Sequence, residues 1–303
     1  MGLIYRRMTT TEGAIIPSPF KIQVTVSSGT VITLPIGNYG SYTPSVNIDW
    51  GDGTPNTYLT GASPSGDKNH TYATGATYII TMSGFVPSFS VNNSSAIKTY
   101  INSIIQFGNV GLRKLDFYGC INLTTIPASN DVTMAAAGGY TGFGEVVDFS
   151  FFAANSGLTA IPSDLFEYAI KALRFSSAFQ FSKITSIPTQ IFQYNTLATT
   201  FSSCFLACTL LTSVNSSLFA ANTLAVDFSR TFQNCRALTN VLQFTQNTAV
   251  TTFNNTYYMG STSNVLSGTA PTLWTRSPVP YGVGCFFNCT GLTNFASIPS
   301  TFK

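Results

Sequence analysis

The sequence predicts a mainly β protein with short helices, in which a small antiparallel β-sandwich is followed by a solenoid of short repeats. Alternating β-branched runs with glycine turns fill roughly the first ninety residues, and a unit of about 27 residues recurs from about Phe117 onwards. Charged residues make up only 8% of the 303 residues, which suits strands and stacked repeats better than long, salt-bridged helices. We therefore divide the chain into an N-terminal attachment segment (1–18), a sandwich (19–87) and a repeat region (88–303).

Two stretches near the N-terminus carry strand signals. The run "FKIQVTVSSGTVITLPIG", Phe20 to Gly37, has two alternating β-branched segments around "SSG" and predicts a hairpin. The run "SVNIDWGDGT" alternates Val46, Ile48 and Trp50 and then stops at "DG", a strong turn signal. Short strands joined by tight turns, without a helical pattern, predict a small antiparallel sandwich.

A third stretch, "KNHTYATGATYIITMSG", supplies a further strand with Tyr78 and Ile80 on one face. "WGDGT" followed by "HTYATGATYIITM" resembles the polycystic-kidney-disease-type (PKD) domain, whose signature is W-x-F-G-D-G-T, then H-x-Y, then G-x-Y-x-V. This sequence departs from it by lacking the residue pair between Trp50 and Gly51, and by reading "GATY" for G-x-Y. The resemblance covers about a quarter of the chain and implies an immunoglobulin-like sandwich, used as a spacer or adhesion module on extracellular proteins.

The second part of the chain repeats itself. The copies read "FYGCINLTTIP", "FAANSGLTAIP", "FQFSKITSIP", "FLACTLLTSVN", "FQNCRALTNV" and "FFNCTGLTNFASIP". Their aligned residues are Leu123, Leu158, Ile184, Leu211, Leu238 and Leu292, with spacings of 35, 26, 27, 27 and 54 residues. The last spacing is twice 27, so it predicts a copy around Val265 (259–285) that has lost its signature but kept its length. The longer spacing of 35 holds "AAAGGYTGFGE" as an inserted loop, and the fixed period predicts a solenoid.

Each part of the unit suggests a structural role. Aromatic residues recur at i and i+4, which predicts two rings on one face of a short helical turn and a stacked aromatic spine. The "LTxI/V" run predicts a four-residue strand, and "IPSDLF" or "IPTQIF" predicts a turn into a brief helix after Pro162 or Pro188. The aromatic pairs are Phe175/Phe179, Phe201/Phe205, Phe228/Phe232 and Phe253/Tyr257.

The unit resembles the BspA-type leucine-rich repeat, which runs F-x-x-C-x-x-L-x-x-I-x-I-P. Six copies in register carry the resemblance over roughly 190 residues. It implies a leucine-rich-repeat solenoid, a curved ladder of short strands that this family uses mostly for surface attachment and recognition. Stacked copies of such a unit share one continuous core.

The cysteines follow the repeat rather than a reactive motif. Cys120, Cys208, Cys235 and Cys289 lie three residues before the repeat leucine, and Asn155 occupies the same place. A position that accepts Cys or Asn favours a small buried group that satisfies nearby backbone. Cys204 and Cys285 lie four residues before Cys208 and Cys289, and no second pair has zinc-binding spacing. Disulfides across adjacent rungs are geometrically conceivable, but free thiols are favoured.

No residue pattern predicts catalysis, a metal site or a cofactor. His70 is the single histidine, and we expect it to be a hydrogen-bonded structural residue, with Asp52 in a turn. The acidic residues are scattered, which leaves little for acid–base chemistry. We predict a solvated rim, rather than a carboxylate pair, for the one acidic cluster of the repeats, Glu145, Asp148, Asp164 and Glu167. We thus predict no catalytic, cofactor-binding or metal-binding residues and no cofactor.

The composition also bears on partners and location. A net charge of +3 without a Lys/Arg cluster predicts no nucleic-acid partner. The sequence contains no apolar run of 18 residues, so we expect no insertion into a membrane. The N-terminus lacks the pattern of a standard secretory signal, which predicts synthesis in a cytoplasm. The chain ends at "SIPSTFK", midway through a repeat, so we expect a second copy or another partner to cover that end.

These expectations favour a non-enzymatic protein of a bacteriophage particle: a head fibre, a capsid decoration or a tail-associated adhesin. The attachment segment would bind the capsid, portal or tail, and the repeats would face a host surface glycan or protein. The alternative is a bacterial secreted or cell-surface adhesin. A third reading, a glycan-active enzyme that carries these modules, needs a pair of carboxylates in a cleft.

Overall fold

The computed structural model describes residues 18–61, 68–91, 95–128, 143–261 and 264–303. Within these ranges the protein is mainly β, with antiparallel sheets and only short 3-10 helices. Two sequence predictions fall largely outside the described ranges. They are the attachment segment, of which residues 1–17 are not described, and the inserted loop, most of which lies in 129–142.

The strands concentrate in the N-terminal third of the chain, and the helices are single 3-10 turns. The strands are β1 (Phe20–Val26), β2 (Val31–Thr33), β3 (Ile36–Gly37), β4 (Ser45–Asp49), β5 (Thr57–Thr60), β6 (Asn69–Thr71), β7 (Ala76–Phe85), β8 (Ser88–Val91), β9 (Ile101–Gln106) and β10 (Lys114–Phe117). The 3-10 helices span Ala96–Thr99, Leu273–Thr275, Phe295–Ser297 and Ser300–Phe302.

The largest sheet has five antiparallel strands in the order β5-β4-β7-β1-β9. Alternate residues of β4 are buried, namely Val46 and Ile48, because successive side chains of a strand point to opposite faces. Trp50 follows them into the core and is fully buried. The predicted alternation of these three residues is therefore confirmed. On β7, Ile80 is buried and Tyr78 packs against the same core, as expected.

The predicted hairpin of β1 and β2 is wrong. β1 pairs with β7 and β9, whereas β2 pairs with β6 in a separate two-stranded sheet. "SSG" does form a turn, in which the N–H of Thr30 donates to the carbonyl of Ser27 (3.2 Å). The N–H of Gly29 donates instead to the carbonyl of Tyr72 (2.8 Å), next to β6, so the turn leads the chain into the other sheet. Alternation predicts a strand but not its partner.

A three-stranded sheet, ordered β10-β8-β3, joins the N-terminal sheets to the rest of the chain. β8 is antiparallel to β3 and parallel to β10. Strand pairing therefore crosses the predicted boundary at residue 87. β8 and β9 follow this boundary in the sequence, but they pair with β3 and β1, which precede it. Aromatic packing is continuous here as well, since the ring of Phe117 lies 5.6 Å from that of Phe89 and 6.1 Å from that of Phe152.

From Lys114 onwards the chain winds into coils, and successive coils are joined by single parallel bridges. Alternate N–H groups of one coil donate to carbonyls of the next, as Phe175 does to Thr200 (3.1 Å) and Ser177 to Ser202 (2.8 Å). We call this part the coil stack. Its bridges join Lys114, Asp148, Arg174, Thr200, Asp227, Thr252 and Tyr281, each to the next in this order.

The segment around Val265 forms a coil although it lacks the repeat signature. Leu266 is buried, and the N–H of Ser267 donates to the carbonyl of Thr239 (3.0 Å) in the preceding coil. In the next coil, Thr293 donates to the carbonyl of Gly268 (2.9 Å). A degenerate segment of preserved length at this place was predicted from the spacing, and this prediction is confirmed.

The predicted helical turn between paired aromatics is wrong. The residues there form consecutive turns, in which Ala178 donates to the carbonyl of Phe175 (3.2 Å) and Ser177 has a φ of 56°. A helical turn would use N–H groups that here bond between coils, and so short a segment has little helical stability of its own. The left-handed non-glycine positions of the coils are Phe151, Asn155, Ser177, Phe181, Ser203, Ala207, Arg230, Asn234, Phe244, Asn255 and Asn288.

The predicted "LTxI/V" strand and the predicted brief helix are also wrong. In the copies at Ile184, Leu211 and Leu238 the "LTxI/V" run donates a single backbone bond to the preceding coil, as Thr212 does to the carbonyl of Thr185 (3.2 Å), which is too few for a strand. The "IPSDLF" segment turns instead of forming a helix, since Leu165 donates to the carbonyl of Pro162 (3.2 Å). Both segments are too short to form a regular element without neighbouring partners.

The predicted aromatic spine is confirmed. It comprises three columns of stacked rings, whereas the i, i+4 pairs imply two. The ring centroids of Phe175 and Phe201 lie 5.5 Å apart with nearly parallel planes, and those of Phe205 and Phe232 lie 5.8 Å apart. These offset stacks bury large apolar surfaces and fix the spacing of the coils. The columns are Phe149, Phe175, Phe201, Phe228 and Phe253; Phe179, Phe205, Phe232, Tyr257 and Phe286; and Phe166, Phe192, Phe219 and Phe244.

A column of buried asparagines runs beside the third aromatic column. The amide nitrogen of Asn222 donates to the carbonyls of Phe192 (3.1 Å) and Asn195 (2.9 Å), and Asn195 and Asn247 bond their own preceding coils in the same way. In the next coil Arg276 takes over, since its guanidinium donates to the carbonyls of Asn247 (2.9 Å) and Phe244 (2.7 Å). One side chain per coil thus adds a second hydrogen bond to turn carbonyls that already accept a backbone N–H, as those of Phe192 and Asn195 do from Asn195 and Ala198.

No helix among the described residues is long and apolar enough to cross a membrane.

Candidate functional site: the polar face of the coil stack

Two columns of polar side chains form one face of the coil stack, which we call the polar face. They flank the buried column that begins at Phe149, so they point away from the core. Adjacent members of a column lie about 4.8 Å apart, the spacing of paired strands, because the bridges hold the coils in register. The first column is Lys114, Asp148, Arg174, Thr200, Asp227 and Thr252, and the second is Ser150, Ser176, Ser202, Ser229 and Asn254.

Hydrogen bonds within the polar face hold its side chains in place. The carboxylate of Asp227 accepts from the N–H of Ser229 (2.8 Å), and the hydroxyls of Ser229 and Thr252 are 3.0 Å apart. Asp148 accepts in the same way from the N–H of Ser150 (2.9 Å). Such side-chain-to-backbone bonds fix the rotamer of each residue before any partner arrives, which lowers the entropy lost on binding.

The cysteines lie in the core, as the repeat predicts. The thiol of Cys208 donates to the carbonyl of Phe179 (3.1 Å), that of Cys235 to Phe205 (3.0 Å) and that of Cys289 to Tyr257 (3.0 Å). The prediction of a small buried group that satisfies the backbone is therefore confirmed for these three. All six cysteines are buried and free: Cys120, Cys204, Cys208, Cys235, Cys285 and Cys289.

Burial controls the chemistry of these thiols. It raises the pKa of Cys208 to about 12 and that of Cys289 also to about 12, and it raises the pKa values of the other four cysteines as well. The reactive form of a cysteine is the thiolate, so none of these residues is prepared for attack near neutral pH.

Asn155 does not occupy the cysteine position, so that prediction is wrong. Asn155 is exposed, with a φ of 52°, and its neighbour Ser156 is the buried residue (3% exposed). One residue lies between Ser156 and Leu158, whereas two lie between Cys208 and Leu211, so alignment on the leucine alone does not fix the register of every copy. Asn fits the left-handed conformation that its coil requires there.

His70 and Asp52 form a pair in the N-terminal sheets. The Nε2 atom of His70 lies 2.7 Å from Oδ2 of Asp52, and its ring stacks on Trp50 with centroids 4.7 Å apart. Asp52 also accepts from the N–H (3.1 Å) and the hydroxyl (2.5 Å) of Thr54, so it closes the "DGT" turn. Burial opposes ionisation, but hydrogen bonds from Thr54 and His70 hold the pKa of Asp52 below its usual value. The prediction that His70 is a hydrogen-bonded residue and Asp52 a turn residue is confirmed.

The acidic cluster of the sequence contributes mainly ion pairs and turns. Glu145 pairs with Arg113 and with Lys171 (2.5 Å). Although burial raises the pKa of Glu145, the two cations outweigh it and leave the pKa below its usual value. Asp148 lies in the polar face, and Asp164 accepts through its backbone carbonyl from the N–H of Glu167 (2.9 Å). Within the described ranges, no three His, Cys, Asp or Glu residues are grouped closely enough to hold a metal ion.

Asp116 is the most deeply buried carboxylate of the sheet that joins the two regions. It is 4% exposed, accepts a hydrogen bond from the hydroxyl of Ser90 on β8, and lies 3.8 Å from the ammonium of Lys114. Burial raises its pKa to about 6, although Ser90 and Lys114 oppose the rise. Sequence reasoning did not single out this residue, because burial of one Asp in the strand "KLDF" leaves no local signal.

The end of the coil stack is partly closed by the chain itself. The carbonyl of Phe302 accepts from the N–H of Phe286 (2.8 Å), and the ring of Phe302 covers Gly282. A partner or second copy at this end stays a prediction.

A comparison of the chain with protein-family models and one with curated proteins each find no match.

Proposed function

We propose that the chain is a non-enzymatic structural protein of a bacteriophage particle, a head fibre, capsid decoration or tail-associated adhesin, that presents the polar face to a partner. In this proposal the N-terminal sheets are a PKD-like sandwich and the coil stack is a leucine-rich-repeat solenoid. The sandwich is a spacer, and residues 1–18 attach the chain to the capsid, portal or tail. The protein is made in the host cytoplasm and is carried on the virion.

The six free, buried cysteines support this proposal most strongly. Proteins that fold outside cells commonly carry disulfides, whereas proteins that fold in a reducing cytoplasm keep their thiols. Here every cysteine fills a core position as a thiol, and three donate to backbone carbonyls. A polar, weakly charged recognition surface on a protein built with free thiols fits a particle that is assembled inside a cell and later released.

The arrangement of functional groups supports a binding role over catalysis. The regular side chains of the polar face are fixed by local hydrogen bonds, the thiols are deeply buried, and His70 is paired with Asp52. A recognition surface needs rigid, repeated contacts, and the coil stack supplies them through backbone bonds between coils.

Mass spectrometry of purified particles of the virus whose genome encodes the chain tests the proposal. We expect the intact chain in the particles at a fixed copy number, and its loss from them when residues 1–17 are deleted. The proposal fails if purified particles lack the chain. Recovery of the chain in the envelope or medium of a bacterium would instead support the secreted or cell-surface adhesin.

A further inference from the structure

The polar face changes character at its C-terminal end, where a shallow groove lies. The groove is lined by residues of four successive coils: Ser202, then Asp227, Ser229 and Arg230, then Asn254 and Asn255, and finally Val283. Tyr281 stands beside it, bridged to Thr252 and two residues before Val283. We call these residues, with Tyr281, the terminal groove.

The terminal groove holds hydrogen-bonding capacity that the fold does not use. Only Oδ1 of Asp227 is occupied, by the N–H of Ser229, and Oδ1 of Asn254 accepts from the N–H of Val283 (2.9 Å). Among the described residues, neither Asp227 nor the exposed Arg230 takes part in an ion pair, and the amide nitrogen of Asn254 has no bond. A carboxylate oxygen, an amide N–H and a guanidinium fork therefore face solvent together.

An apolar platform borders these polar groups. Tyr281 is 74% exposed and Val283 is 65% exposed, although the same two columns carry Thr252 and Asn254 one coil earlier. An exposed tyrosine with an adjacent valine offers a flat apolar surface with a polar tip. Large exposed apolar side chains at one place mark a binding surface more often than isolated ones do.

We propose that the terminal groove binds a neutral saccharide. Vicinal sugar hydroxyls are both donors and acceptors, so they match a carboxylate, an amide and a planar guanidinium, and the apolar C–H face of a sugar ring packs on an aromatic ring such as Tyr281. The groove has one acid and one base, so it does not select for charge. The coils of Asp227 and Tyr281 are two steps apart, about 10 Å at strand spacing, so the ligand is an extended one.

Other classes of partner fit less well. Nucleic acid requires a basic stripe, whereas the groove has a single arginine opposed by Asp227. A protein interface requires an apolar core of several aromatic or aliphatic anchors, and here Tyr281 and Val283 stand at one edge only. This inference deepens the proposed function, on which it rests for the choice of the polar face as the surface presented to a partner.

The full-length protein is applied to an immobilised array of neutral and acidic oligosaccharides that includes fragments of bacterial surface polysaccharides, and calorimetry then measures the best member. We expect a neutral oligosaccharide to bind. Tyr281→Thr, which restores the residue type of the preceding coil, and Asp227→Asn, which keeps the bond to Ser229, should each raise its Kd at least tenfold. Tyr194→Ala is the matched control, because Tyr194 is 48% exposed and lies outside the groove.

The inference is overturned by three results: no neutral saccharide binds, binding persists at equal affinity in both groove variants, or Tyr194→Ala weakens binding as much as they do. Equal melting temperatures of all variants verify that each is folded. The proposed function is judged separately by the particle proteome. If the chain binds a saccharide but is absent from virions, the inference about the groove stands and the virion role fails. If the chain is present in virions but binds no saccharide, the virion role stands and the inference about the groove fails.

Discussion

The N-terminal sheets and the coil stack use the same kinds of residue in different ways. In the sheets, strands far apart in sequence pair with one another, as β1 does with β7 and β9. In the coil stack, each coil contacts its neighbours through a bridge, a set of alternate N–H bonds and columns of identical side chains. Stability in the sheets therefore depends on long-range register, and in the stack on repeated local columns.

The largest difference should come from the aromatic columns. Phe201 is fully buried between the rings of Phe175 and Phe228, so Phe201→Ala leaves a cavity in the middle of the stack. We expect a loss of about 3–5 kcal/mol in the free energy of unfolding, measured by chemical denaturation. The control is Phe181→Ala, because Phe181 is 50% exposed, and it should change stability by less than about 0.5 kcal/mol. Equal losses of stability in Phe201→Ala and Phe181→Ala would contradict the aromatic column as the source of stability.

The asparagine column should come next. Asn222→Ala removes two buried hydrogen bonds, although the carbonyls of Phe192 and Asn195 keep their turn N–H donors, and it should destabilise the protein by about 2–3 kcal/mol. Asn47→Ala serves as the comparison in the sheets, since Asn47 is exposed on β4 and should cost at most about 0.5 kcal/mol. Thermal and urea unfolding measure both variants, and equal effects of the two would contradict a stabilising role of the asparagine column.

The sheet that joins the two regions should respond to pH through Asp116. Its pKa is raised to about 6 from 3.8, so the folded protein binds this proton more tightly than the unfolded chain does. The stability it contributes is present below pH 3.8 and is lost as the pH rises to about 6, with a total of roughly 2–3 kcal/mol. Asp116→Asn should flatten the fall in unfolding free energy across that window. An unchanged slope would exclude Asp116 as its source.

The smallest effect should separate two adjacent serines of one coil. Ser203 has a φ of 57°, so Ser203→Gly relieves a left-handed residue and should raise stability by about 0.5–1 kcal/mol. Ser202 has no such conformation, and Ser202→Gly should lower stability by a similar amount, through added freedom in the unfolded chain. Differential scanning calorimetry should record shifts of opposite sign. Shifts of the same sign would contradict the turn geometry of the coils.

The two regions also differ in what their sequences reveal. In the sheets, alternation identified the buried face of β4, but it could not identify the partner of β1, because pairing depends on a turn that bonds to Tyr72. In the stack, the period identified two of the three aromatic columns and most cysteine positions. It misjudged the local backbone, because identical i, i+4 spacing arises from a helix and from two consecutive turns.

The asparagine column and the terminal groove show a further limit. The recurrence of "NTL" at Asn195 and Asn222 could have predicted the asparagine column from the sequence. Arg276 could not be predicted as its next member, because a different residue type makes two equivalent bonds there. The groove combines residues from four coils, and only the register of the bridges shows that Tyr281 lies beside Thr252. Sites built across coils become visible only once the coils are aligned in space.

The proposed role is that of a particle protein that presents its polar face outward. Gold-labelled antibodies raised against the terminal groove, applied to intact purified particles and imaged by electron microscopy, test it most directly. We expect gold on the surface of intact particles, and less gold on particles that carry Tyr281→Thr, which serve to measure antibody specificity. Particles without gold, together with labelling of a bacterial envelope, would contradict it.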